Sequence, residues 1–139
     1  MNNLSNRDGQ CHKNKVTHGI SISVETVFKG TYFKNYQRVF AFAYRISILN
    51  QSKDCVQLKS RHWKIFDALN ALDIVDGEVV VGEKPILHPG QHHSYSSGCL
   101  LSSPIGAMRG YFRMVNFTTS KKFRAYVPAF KLNAPFAIN

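Results

Sequence analysis

From Phe40 to Ile48 the chain sets an aromatic or aliphatic residue at every second position. Phe40, Phe42, Tyr44, Ile46 and Ile48 hold one side, and Ala41, Ala43, Arg45 and Ser47 hold the other. A period of two suits a pleated strand with one buried face, whereas a helical stripe returns at three and four residues. The same alternation recurs in Ile20, Ile22 and Val24, in Phe112 and Met114, and in Phe123, Ala125 and Val127. Gly, Pro, Asn and Ser separate these runs, and no stretch shows an apolar helical stripe flanked by caps. Many short strands between turns predict an all-β chain folded as an antiparallel β-sandwich.

At 139 residues the chain has the length of one domain with a real core. Residues 1–15 are polar, aperiodic and rich in Asn, so they read as a disordered tail ahead of a domain over 16–139. Residues 1–8 contain no apolar h-region, and no secretory signal is expected there. The apolar run Val39–Tyr44 stops at Arg45, too short to cross a bilayer, and no membrane partner is expected. Cys11, Cys55 and Cys99 are odd in number and far apart, which argues against both a disulfide framework and a zinc ribbon. A reduced, cytoplasmic setting follows.

Charge is the least ordinary property. Eighteen Lys and Arg against eight Asp and Glu leave a net +10, which attracts polyanions without specifying one. The basic residues are dispersed, with Lys121, Lys122 and Arg124 the closest cluster near the C-terminus.

Between Leu58 and Trp63 the apolar parity changes. Val56 and Leu58 are apolar at even positions, Trp63 and Ile65 at odd ones. A one-residue phase change predicts a β-bulge between Lys59 and His62. Trp63 is then a core anchor. Arg61 and His62 are either simply re-aimed by the bulge or presented as a recognition pair for an anion or a partner's carboxylate.

Chemistry-bearing clusters are weak. Pro89-Gly90 makes a turn between His88 and His92, and His92 and His93 face opposite sides of a strand, so surface histidines rather than metal ligands are expected. Ser97-Gly98 and Ser102-Ser103 lack a nucleophile-elbow setting. Cys99 shares a strand face with Tyr95, Ser97 and Leu101, as a small buried filler would. Asp76-Gly77 reads as a turn, followed by extended Val79-Val80-Val81. No catalytic residue, no metal site and no cofactor is expected.

Several short words nevertheless occur in order: Ser60-Arg61-His62-Trp63, Gly77 to Pro85, Pro89-Gly90, Ser97-Gly98, Pro104-Ile105-Gly106-Ala107-Met108-Arg109-Gly110, and Val127-Pro128-Ala129-Phe130-Lys131-Leu132. Together they resemble the ApaG family, over roughly Val16 to Phe136. The resemblance implies an immunoglobulin-like or fibronectin type III-like sandwich of about seven strands. It implies no agreed reaction, and points instead to a non-enzymatic binding module. That module would recognise another protein, with a family link to cobalt and magnesium tolerance. The alternatives are a nucleotide- or pyrophosphate-binding protein and a divalent-cation-linked regulator. ApaG-like chains usually carry GxGxxG where this one has Gly77-Glu78-Val79-Val80-Val81-Gly82. Val79 replaces the middle glycine, and Glu78 and Glu83 would repel phosphate. The family-matched words nominate Arg61, His62, Gly77, Gly82, Ser97 and Gly98 for binding. They leave Trp63, Pro104, Gly106, Met108, Gly110, Pro128 and Phe130 as structural.

Overall fold

Alternation translates directly into strands. A computed structural model describes residues 4–5, 11–70, 72–77 and 83–137. Among these the strands are β1 (Leu4–Ser5), β2 (Cys11–Thr17), β3 (Ile20–Lys34), β4 (Gln37–Asn50) and β5 (Val56–Asp67). They continue as β6 (Asp73–Gly77), β7 (Ile86–Leu87), β8 (His92–Leu101), β9 (Ile105–Asn116) and β10 (Lys121–Asn133), before a single 3-10 turn at Pro135–Ala137. Seven of them have seven or more residues, matching the expected strand number. Two-residue loops join β2 to β3 and β3 to β4. His18-Gly19 and Asn35-Tyr36 each supply the two positive φ angles that a twisted hairpin demands.

The strands form two antiparallel sheets, ordered β1-β2-β3-β4-β8 and β10-β9-β5-β6, with β7 beside β5. Their facing sides make one core. Ile20, Ile22, Val24, Phe40, Phe42, Tyr44, Ile46 and Ile48 enter it from the first sheet; Trp63, Met108, Phe112, Met114 and Phe130 enter from the second. Trp63, 2% exposed, meets the rings of Tyr44, Phe112 and Phe130 edge-on at 6.0–6.1 Å. On one flank β10 packs against β2 and β3. On the other, β8 ends the first sheet and β6 ends the second.

Two bulges shape the second sheet. Leu58 pairs with Met114 but Ser60 with Arg113, so Lys59 is the extra residue that switches the parity read from the sequence. In β10 the register slips between Val127 and Phe130, around Pro128, which cannot donate to a ladder.

Strand β2 changes the expected domain boundary. Cys11–Lys15, placed by composition in a disordered tail, pair with Thr26–Ile22 of β3. The side chains of Lys13 and Asn14 are held by hydrogen bonds instead of burial. Lys13 Nζ donates to the Ala129 carbonyl at 2.7 Å, and Asn14 Nδ2 donates to Ser21 Oγ and Ser23 Oγ at 2.8 Å each. The expected turn at Asp76-Gly77 is also corrected: both residues are strand, opposite His62 and Arg61.

Candidate functional site

The bulge at Lys59 fixes where every later side chain of β5 points. Arg61 stands on the same side as Trp63, toward the flank where β6 and β8 end the sheets. Its Nη1 donates to the Gly77 carbonyl at 3.2 Å. Its charge acts on both Tyr44 and Tyr95, whose phenols are nevertheless pushed up, chiefly by burial. Ser97 lies opposite Tyr44 in the β4–β8 ladder and hydrogen-bonds its hydroxyl. Burial also pushes the neighbouring Cys99 thiol up to about 11, with the charges of Asp67 and Asp73 adding to it. Among the described residues, Trp63 Nε1 and the Tyr95 hydroxyl are buried without a hydrogen-bond partner.

His62 stands on the other face. Its ring stacks on Tyr111, with centroids 5.0 Å apart and planes at 20°. Its Nδ1 lies 3.5 Å from Asp76 Oδ1, without hydrogen-bond geometry. Asp76 belongs mainly to Arg113, whose two guanidinium nitrogens reach its carboxylate at 2.6 and 3.2 Å. That hydrogen bond holds the Asp76 carboxyl below the usual range and raises the Arg113 guanidinium. Arg113 also donates to Ser60 Oγ at 3.1 Å. Arg61 and His62 therefore do not form one recognition pair: consecutive strand residues face opposite sides, and the bulge lies before both of them.

The outer face around His62 is a groove of about 340 Å³, lined in part by Lys15, Lys64, Arg109, Tyr111 and Tyr126. Tyr111 meets Tyr126 at 5.8 Å and carries the Arg124 guanidinium 4.3 Å from its ring centre. Lys15 Nζ lies 5.6 Å from the Tyr126 ring. Sequence reasoning missed this groove because the outward residues of β9 were read only as the complement of Phe112 and Met114. Their own alternation, Arg109, Tyr111, Arg113, was the available signal.

The other nominated residues are dispersed. Gly77 has φ 130°, a conformation that favours glycine. Gly82 lies outside the described residues, as does Val79-Val80-Val81. Gly98 is exposed on the edge strand β8 and pairs with Ala43 of β4. Met108 and Phe130 are buried with Trp63. Gly106 and Gly110 are needed for close approach: a Cβ on Gly106 would meet the Phe66 carbonyl and Leu101, and one on Gly110 the His62 carbonyl and the Trp63 ring. Pro104 precedes β9, and its carbonyl accepts from Ala134 N at 2.9 Å. His88 lies in the loop before β8. His92 is exposed and His93 half-buried, with the His93 ring 6.3 Å from Tyr95. Among the described residues, no three His, Cys, Asp or Glu side chains come together.

Comparison with known proteins agrees with this architecture. The family description DUF525, the ApaG domain, matches residues 30–116. A "Protein ApaG" from Methylocella silvestris is 44% identical over 121 residues, covering 87% of this chain and 92% of that protein. One from Beijerinckia indica is 43% identical over 122 residues, with coverages of 88% and 93%. The crystal structure of a putative ApaA protein from Bordetella pertussis superposes with a TM-score of 0.75 at 34% identity, covering 84% of this chain and 94% of that one. On sequence and fold alike, the chain belongs to the ApaG family.

Proposed function

We propose that the protein is a non-enzymatic binding module that recognises another protein through the free edge of β8. The observation that carries this is the character of that edge. Strand β8 ends the first sheet, and among the described residues no strand pairs with its far side. Proteins commonly guard such edges with Lys, Pro or a bulge, because unpaired N–H and C=O groups template a further strand. His92–Leu101 holds no Lys and no Pro, and its ladder with β4 runs from His92 to Leu101 without a register shift. Ser96, Ser97 and Gly98 are exposed along it. An extended segment of a partner can therefore add as a new strand, its main chain giving affinity and its alternate side chains giving specificity. Any family link to cobalt or magnesium tolerance then runs through the partner. The free thiols of Cys55 and Cys99 support a reducing, cytoplasmic setting.

Neighbouring residues of a strand direct their N–H groups to opposite edges. Of Ser96→Pro and Ser97→Pro, one removes a ladder bond to β4 and the other blocks only the outer edge. In a pull-down, the variant that keeps its thermal stability should lose the partner captured by the parent protein. Undiminished capture by that stable variant would contradict the proposal.

A further inference from the structure

A second surface, independent of the β8 edge, lies on the outer face of the second sheet. Along β9, Arg109, Tyr111 and Arg113 recur on this face at steps of about 6.8 Å, as strand geometry requires. Across the sheet, His62, Tyr111 and Tyr126 occupy one row of paired residues. Lys64 and Arg109 form the next row, and Lys15 reaches in from β2. Among the described residues, no carboxylate lines the groove. The nearby Asp76 is already engaged by Arg113 through two hydrogen bonds. Tyr111 is braced by His62 and Arg124, whereas Tyr126 is 39% exposed and presents its ring at the groove.

We propose that this face binds single-stranded nucleic acid, with Lys15, Lys64 and Arg109 on successive phosphates and Tyr126 stacking an unpaired base. The chemistry selects that occupant. Lys64 and Arg109 side by side in one cross-strand row, with Lys15 reaching in from β2, offer several cations to a phosphate chain, and the net charge of +10 supplies the long-range attraction. Exposed tyrosine on an open sheet face offers its ring to bases that are splayed out, which a duplex does not provide. A flat sheet face also cannot enter a duplex groove as a helix or a two-stranded ribbon does.

The test is fluorescence anisotropy of a labelled oligouridylate or oligothymidylate of about twelve nucleotides, within the range of single-strand site sizes. Tyr126→Ala should weaken binding at least about fivefold and Tyr126→Phe less than about twofold, because the ring and not the hydroxyl does the stacking. Replacing Lys64 and Arg109 together by Ala should weaken binding about tenfold and lower the salt slope by about 1.4, the amount for two single-strand phosphate contacts. Lys34→Ala with Arg38→Ala removes the same charge from the β3–β4 hairpin of the other sheet and should cost less than about twofold. Thermal unfolding is followed for each variant, and Tyr126→Phe keeps the stacking claim testable if Tyr126→Ala loses its fold. Absence of binding at low salt would overturn the proposal. So would equal losses in the two double variants, equal affinity for a duplex of the same length, or equal competition by inorganic polyphosphate.

Discussion

Arg61 and His62 are bonded neighbours on opposite faces of one sheet: Arg61 donates to the Gly77 carbonyl at 3.2 Å, while His62 stacks on Tyr111 at 5.0 Å. They share no partner in these contacts, so their contributions should be close to independent. Arg61→Ala should cost about 1–2 kcal/mol for the lost hydrogen bond, and His62→Ala about 1 kcal/mol for the lost ring pair. A double-mutant cycle by chemical denaturation should give a coupling below about 0.5 kcal/mol. A coupling above about 1 kcal/mol would show the two acting as a unit.

Trp63 is the largest side chain in the core and touches rings from both sheets. Trp63→Ala should destabilise by about 3–5 kcal/mol through lost burial and the cavity left behind. Trp63→Phe should cost clearly less, because the buried Nε1 has no hydrogen-bond partner among the described residues to be stranded. Urea titration of both variants checks the order.

Two glycines should fail for different reasons. At Gly110 an added Cβ would collide with the His62 carbonyl across the ladder, where backbone cannot move aside cheaply. Gly110→Ala should cost about 3 kcal/mol, the upper end for overpacking. At Gly77 no described residue lies within 4 Å of the added carbon, but φ is +130°. Gly77→Ala should cost about 1 kcal/mol from backbone strain alone. Thermal or chemical unfolding that reversed this order would contradict the cross-strand approach at Gly110.

Cys99 carries a pH signature. Burial raises its thiol in the folded protein to about 11 from an ordinary value of about 9. Between those values the unfolded chain has released the proton while the folded chain retains it, so stability falls as pH rises. The contribution is complete below pH about 9 and is lost as pH rises through about 11. Alkylation mapped by mass spectrometry should therefore spare Cys99 at neutral pH and reach it only in strong alkali or on unfolding. Rapid modification of Cys99 at neutral pH in the folded state would refute its burial.

The sandwich was legible because its core strands alternate strictly. Phe40 to Ile48 carry aromatic or aliphatic groups at every inward position, and all five inward residues are buried. The bulge was legible for the same reason, since Leu58 and Trp63 are both inward yet differ in parity. Strand β2 was not, because Lys13 and Asn14 are held by hydrogen bonds to residues distant in sequence or across a hairpin, and hydrophobic period does not register those. The site was less legible than the fold. Motif words place residues along a strand but do not say which face each takes. Arg61 and His62 share one word beside the bulge, yet as consecutive strand residues beyond Lys59 they take opposite faces. Tyr126 and Lys64 joined Tyr111 and Arg109 only through pairing across β10, β9 and β5.

The free edge of β8 is tested most directly by amide hydrogen exchange of the protein alone and with its captured partner. Amides of Ser94–Leu101 that face β4 should be protected in both states, and the alternate amides of the same strand should slow only in the complex. Protection confined to β10, or to the hairpin at Asn35-Tyr36, with the outward amides of β8 unchanged, would contradict strand addition at this edge.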